Sequence, residues 1–317
     1  MDRLSGTSES HPLFTAVETS LGRAIRNMNA KTGRGDILND SLLMSIKSYS
    51  HKLRSFYRAR FRELRARRDK KRLLTAISSE KEIFRSDWQS SLTEPNKFYE
   101  RCFRYFHSSL PRELRQHRQY FSESVRGFGE DSFHVMWWLI FQELRPSSFL
   151  EIGVYRGQVI SLISLLSKMS DHDCEVYGIS PFSNVGDSVS SYSSNIDYYD
   201  DTLTNFRNFK LPMPHLVRSY STDATARDLI ESRAWDCIYI DGNHEYETAK
   251  SDWEICSSNI RSDGFIVLDD AALTTAYTPP AFASAGHPGP SRIAAEINKS
   301  DFLEILQVGH NRVFMRL

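Results

Sequence analysis

Residues Phe149–Lys168 read FLEIGVYRGQVISLISLLSK. An apolar run of strand length ends at Glu151, Gly153 and Gly157 bracket a turn, and Gln158–Lys168 continues with apolar residues at helical spacing. A strand that passes through glycines into a helix is the opening unit of a doubly wound α/β domain. Glycines allow positive φ and close approach of the backbone to a ligand. Ligands of such sheets lie beyond the carboxyl ends of the strands, at the topological switch point. The spacing is ExGxxxG rather than GxGxxG, which disfavours a dinucleotide pyrophosphate cradle. The plain alternative is two glycines in an ordinary strand-to-helix turn.

Working outward, the pattern after Pro146 alternates. SFLEIG, EVYGIS, HLVRS, DCIYID and GFIVLD are short runs rich in β-branched or aromatic residues, separated by helical segments such as Gln158–Lys168, Thr222–Ser232 and Thr248–Asn259. Alternation of this kind predicts a parallel sheet wrapped by helices. The end differs: FLEILQVG and RVFMRL, joined by a tight turn around His310–Asn311, predict an antiparallel hairpin at one edge.

Upstream, residues 1–40 are rich in Ser, Gly, Asn and Thr and read as loosely ordered, with one short helix near Phe14–Asn27. Residues 41–145 read as a helical extension and cap. Within it, Ile46, Tyr49, Leu53, Phe56, Tyr57, Phe61 and Leu64 form one helix face, against a basic face of Lys52, Arg54, Arg58, Arg62, Arg65 and Arg68. Further helices are predicted over Asn96–Leu110 and Asp131–Leu144, the latter apolar nearly all round and hence buried. The net charge of zero over 317 residues conceals an asymmetry: residues 1–145 hold 27 Lys+Arg against 17 Asp+Glu, and residues 146–317 hold 13 against 23. The basic helix over residues 46–74 fits packing of its aromatic stripe in a homo-oligomer, or peripheral contact with an anionic membrane surface. With no recognised RNA-binding module beside it, nucleic acid is the weaker partner.

Four cysteines without a CxxC pair suggest reduced thiols rather than a zinc site or a disulfide framework. No apolar run reaches the roughly 20 residues of a membrane span. The stretch MDRLSGTSESHPLF lacks the apolar core of a signal peptide. The expected location is the cytoplasm, with the inner membrane face as the place for peripheral contact.

The chemistry concentrates at strand ends. In WDCIYIDGNHEY (Trp235–Tyr246) a strand delivers Asp241, Gly242 permits a sharp turn, and His244 lies in the loop. GFIVLDDA (Gly264–Ala271) delivers Asp269 and Asp270 to the same edge. Three carboxylates at one locus suit Mg2+ or a similar divalent cation, which would offset their repulsion. The competing reading has Asp269 accepting backbone amides and Asp270 solvating a loop.

Taken together, LEIGVYRG, VYGIS, YIDGNHEY and GFIVLDDA resemble the class I S-adenosylmethionine (SAM)-dependent methyltransferases. More narrowly they resemble the branch with an IDGxHxY loop and a DD strand end, which includes metal-dependent sugar O-methyltransferases of natural-product pathways. The resemblance covers roughly residues 146–317. It implies a Rossmann-like, seven-stranded, mostly parallel sheet with a reversed last strand. It implies SAM as cofactor, with Glu151, Gly153, Tyr155 and Gly157 on its amino-acid and ribose side. Ser221 and Thr222, within RSYSTD, would border adenine, and Asp241 would be a further cofactor contact. The family's ribose-binding acid is replaced by Ser180, which can make one such bond but not a bidentate pair. Asp241, Asp269 and Asp270 match the metal carboxylates of the magnesium-dependent members. The activity implied is O-methylation of a sugar or other small hydroxylated acceptor, with His244 or Asp241 as base.

The Pro- and Gly-rich stretch Thr274–Ile297 would border the acceptor, with His287 and Arg292 as candidate contacts. Three alternatives stay open: a catalytically inactive cofactor-binding or scaffolding module, a methyltransferase acting on a lipid-linked glycan, and a dehydrogenase, which the glycine spacing disfavours.

Overall fold

The computed structural model describes residues 40–76, 80–190 and 192–317. The expected loose segment and short helix before residue 40 lie outside them, as do most side chains of the aromatic stripe. The chain divides into two units, Met1–Phe61 and Arg62–Leu317. In the first, the described structure is the start of a long helix, α1 (Asp40–Thr75), whose remainder belongs to the second. Among the described residues, no helix is long and apolar enough to cross a membrane.

The second unit continues with α2 (Trp88–Thr93), α3 (Pro95–Ser108), α4 (Arg112–Ser122) and α5 (Asp131–Leu144). The alternating part follows: β1 (Ser148–Ile152), α6 (Gln158–Ser170), β2 (Glu175–Ser180), α7 (Tyr198–Asn208), β3 (His215–Arg218), α8 (Ala224–Glu231), β4 (Trp235–Ile240), α9 (Tyr246–Ser258) and β5 (Ile260–Leu268). The chain closes with α10 (Pro288–Glu296), β6 (Phe302–Val308) and β7 (Asn311–Arg316). The seven strands are ordered β3-β2-β1-β4-β5-β7-β6, parallel as far as β5, with β7 antiparallel to both neighbours. This is the Rossmann-like sheet with a C-terminal hairpin that the sequence predicts.

Strand side chains alternate between faces, so each central strand feeds two cores. Phe149, Cys237, Tyr239, Phe265 and Val267 pack with α3, α5 and α6, whereas Leu150, Ile238, Ile240, Ile266 and Leu268 pack with α8, α9 and α10. Burial on both faces explains why these strands read as continuous apolar runs. The first core also includes Trp88, Phe98, Cys102, Leu114, Trp137 and Phe141. The helices between Trp88 and Leu144 therefore share a core with the sheet, and residues 145/146 are no boundary of packing.

Register sets the functional edge. Ile152 pairs with Ile179 of β2 and Ile240 of β4, and Ile240 with Leu268 of β5. The next residue along each strand is Gly153, Ser180, Asp241 and Asp269, which stand in one row across the carboxyl edge. The ladder continues into this row through Gly153 N–H to Ile179 O (2.9 Å), Asp241 N–H to Ile152 O (2.8 Å) and Asp269 N–H to Ile240 O (3.0 Å).

Candidate functional site

Two cavities open at that edge. The larger, about 640 Å³, has Glu151, Gly153, Asp241, His244, Asp269, Asp270, His287 and His310 among its wall residues. The smaller, about 150 Å³, lies over the ends of β1–β3 and includes Ser180, Tyr220, Ser221, Thr222 and Asn243. They share Gly153, Tyr155, Tyr192, Asp241 and Gly242, so these residues mark their junction. Of the residues singled out from sequence, Arg292 and Gly157 line neither. Arg292 is exposed; its guanidinium lies 3.7 Å from the Tyr246 ring centroid and pairs with Glu296 at 2.8 Å. Gly157 serves the fold: it precedes α6 with φ 78°, and a Cβ there would meet Thr202 Cγ2 at 2.7 Å.

Gly153 is required by the chain itself. Its φ is 100°, and a Cβ would lie 1.8 Å from the carbonyl oxygen of Asp241. No side chain fits where β1 and β4 leave the sheet this close together. Glu151 points to the same sheet face as Phe149 and is almost fully buried, its carboxylate accepting the Ile160 N–H at 3.3 Å. Burial drives its pKa up to about 8, against the opposing effect of that amide.

Asp241 and Asp269 extend the same face, following Tyr239 and Val267 by the period of two. Burial, then the neighbouring charges of Asp269, Asp270 and Glu151, hold the Asp241 carboxyl well above the usual range. Burial acts in the same sense on Asp269, but the His310 charge and hydrogen bond overcome it and leave Asp269 below the usual range. The two carboxyls are thus driven apart, Asp241 toward its protonated form and Asp269 toward the carboxylate.

His310 lines the larger cavity, although from sequence it is only part of a turn. Antiparallel register carries the β6–β7 turn to the end of β5, where Ala271 N–H bonds His310 O at 2.9 Å. The ring then lies 3.3 Å from Asp269 Oδ1 and 3.8 Å from Asp270 Oδ1 through Nε2. Burial opposes its protonation, but Asp269 and Asp270 raise its pKa to about 10. An imidazolium thus offsets part of the carboxylate repulsion that the sequence assigns to a metal ion.

Asp187, in the loop after β2, is the other residue without a sequence signal. Its Oδ2 accepts both the backbone N–H of His244 (3.0 Å) and its ring Nδ1 (2.5 Å). The other ring nitrogen, Nε2, lies 2.9 Å from Asp270 Oδ2. Desolvation lowers the His244 pKa, yet these two carboxylates raise it to about 9. Both nitrogens are engaged and the ring holds its proton at neutral pH, which does not suit the expected role of general base.

The sets of three potential metal ligands whose donor atoms all lie within 4.8 Å of one another, among the described residues, are His244, Asp270 and His287, and Asp269, Asp270 and His310. Asp241 belongs to neither, so the trio of carboxylates expected to chelate a cation is not drawn together as such a set.

Residues 150–271 match a family model described as a methyltransferase domain. No curated protein matches the chain. Among solved structures, a SAH-bound methyltransferase of Podospora anserina is 14% identical with a TM-score of 0.45, covering 65% of this chain and 88% of that one. An O-methyltransferase of Bacillus cereus in complex with SAH is 13% identical, with a TM-score of 0.45 and coverage of 67% and 94%. The O-methyltransferase TomG of Streptomyces achromogenes, involved in tomaymycin synthesis and in complex with SAM, is 15% identical, with a TM-score of 0.44 and coverage of 74% and 99%.

Proposed function

We propose that this chain, which carries a class I methyltransferase domain, uses SAM to methylate an oxygen of a small hydroxylated acceptor such as a sugar. The observation that carries the reading is the junction of the two cavities at Gly153, Tyr155, Tyr192, Asp241 and Gly242. A cofactor held in the smaller cavity would meet, at this junction, an acceptor held in the larger one. The fit rests on this structure: Gly153 and Gly242 bring backbone to the junction beside the side chains of Tyr155, Tyr192 and Asp241, and Ser221 and Thr222 line the smaller cavity. Ser180 offers one hydroxyl at the ribose position.

When bound, SAM supplies a methyl group that leaves its sulfonium for the acceptor oxygen, giving the neutral sulfide. The protein's part is alignment, which can supply about 7–11 kcal/mol of barrier lowering, and removal of the hydroxyl proton. We assign the proton to Asp241. Its raised pKa comes from burial and like charge, and the positive sulfonium of a bound cofactor would oppose the second of these and favour the carboxylate. Asp241 would then be the group that takes the proton released by the acceptor hydroxyl. His244, held by two carboxylates, orients rather than accepts. Asp241→Asn keeps the shape of the site and removes the base. It should lower turnover of a methylated hydroxyl acceptor by about 100-fold or more while SAH affinity changes little. Undiminished turnover would remove Asp241 from this role.

A further inference from the structure

We infer that His244, His287 and Asp270 form a binding site for a divalent transition-metal cation, of Mn2+, Co2+ or Zn2+ type, on the wall of the larger cavity. This deepens the proposed function, since it places the cation at the acceptor, but its test does not require turnover.

Ligand geometry is the first argument. His244 Nε2 and His287 Nε2 lie 2.9 and 3.8 Å from Asp270 Oδ2, and the two rings meet edge to face with centroids 4.4 Å apart. Donors around one tetrahedral zinc-like ion are roughly 3.3 Å apart, as follows from bonds of about 2.0–2.1 Å. The observed spacings bracket that value, so small ring rotations suffice.

The groups behind the donors point the same way. A metal-binding histidine characteristically donates its other ring N–H to a carboxylate, which fixes the tautomer and aims the free nitrogen. Asp187 holds His244 in this way through Nδ1 and also takes its backbone N–H, and the cation would replace the Nε2 proton that otherwise faces Asp270. Asp270 and His287 are joined through the backbone: His287 N–H donates to Asp270 O at 2.8 Å, and Ser291 Oγ donates to the same oxygen at 3.2 Å. To make this connection Asp270 adopts φ 52°, and Gly286 approaches so closely that a Cβ would lie 2.1 Å from Asp270 O. Non-glycine residues in the left-handed region cost free energy and cluster at functional sites. His244 is thus held through its ring, and Asp270 and His287 through their backbones.

The chemistry of the set selects the ion. Two imidazoles and one carboxylate suit borderline transition cations, whereas Mg2+ prefers oxygen donors. The neighbouring set of Asp269, Asp270 and His310 has a single nitrogen donor, and its histidine lies at the buried turn between β6 and β7. His287, with a third of its side chain exposed, leaves the proposed site open to solvent and to an acceptor hydroxyl.

The test is titration of Co2+ into chelator-treated full-length protein, read by calorimetry and by visible d–d absorption, with SAH affinity measured on the same samples. The expected result is one tightly held Co2+ per chain, displaced by Zn2+ but not by equimolar Mg2+. His287→Ala should weaken Co2+ at least about tenfold, and Asp187→Asn, which touches no donor atom of the ion, by about 10–100-fold. Unchanged circular dichroism and thermal melts in both variants exclude unfolding, and unchanged SAH affinity is the further control for His287→Ala, since Asp187 itself lines the smaller cavity. The inference is overturned if Mg2+ competes equally, if neither variant changes Co2+ affinity, or if His310→Gln alone abolishes binding. Loss of SAH binding in the wild type would instead overturn the methyltransferase reading.

Discussion

Gly153→Ala perturbs the junction of β1 and β4 with one methyl group. The new Cβ would lie 1.8 Å from Asp241 O, 2.4 Å from Asp241 C and 2.8 Å from Gly242 Cα. These are backbone atoms on the neighbouring strand end, so no side chain can rotate away. Restoring van der Waals contact opens the strand ends by roughly 1.5 Å, and overpacking of this kind costs about 1–3 kcal/mol. The φ of 100° adds about 1–2 kcal/mol for a residue with a Cβ. The combined loss, roughly 2–5 kcal/mol, corresponds to a fall of about 4–20 °C in Tm for a domain of this size. The same displacement moves Asp241 relative to the smaller cavity, and a misplacement of about 1 Å can lower turnover about 100-fold. Thermal melts and SAH calorimetry on the purified variant read both effects. A Gly153→Ala variant that melts within about 1 °C of wild type and binds SAH equally well would refute the close-approach argument.

Other consequences follow from single features. Ser180→Asp supplies the carboxylate that can accept both ribose hydroxyls, and charge-assisted bonds should tighten SAH binding by about tenfold in calorimetry; weaker binding would mean that the ribose lies elsewhere. Arg292→Ala should leave the acceptor KM within about twofold, because this side chain lies outside both cavities; a large rise in KM would place it at the acceptor after all. His117, bonded to His134 Nε2 (3.0 Å) and Ser161 Oγ (2.9 Å), has its pKa lowered to about 3 by burial and by Arg118. The unfolded chain protonates this ring below about pH 6.5 and the folded chain does not, so stability is lost as pH falls from 6.5 toward 3. That is about 2 kcal/mol between pH 7 and 5 from this ring, measurable by urea denaturation and reduced in His117→Gln; an unaltered pH dependence in the variant would contradict it.

The strand-to-glycine-to-helix passage at Phe149–Lys168 was legible because burial on both sheet faces writes itself as an apolar run. Gly153 carried a second signal, positive φ, although what approaches it is the protein's own Asp241 carbonyl. The helix Tyr198–Asn208 was missed: its sequence YYDDTLTNFRN lacks a wide apolar stripe, and only Tyr198, Thr202, Asn205 and Phe206 are buried. Asp241, Asp269 and Asp270 announced themselves as strand-end acids, but their partners did not. Asp187 sits in a loop without periodicity, and His310 reaches the site through antiparallel register across β5 and β7. Such pairings join residues 57 and 41 positions apart, and no local pattern records them. For that reason the sequence suggested a cation among carboxylates, whereas the structure sets histidines against them.

The position of the cofactor is central to the proposed function. Hydrogen–deuterium exchange on the full chain with and without saturating SAH tests this directly. The expected protection covers three separated segments at one sheet edge: 153–157, 219–222 and 241–243. Protection confined to other segments, or none despite saturation, would contradict the placement of the methyl donor at the junction of the two cavities.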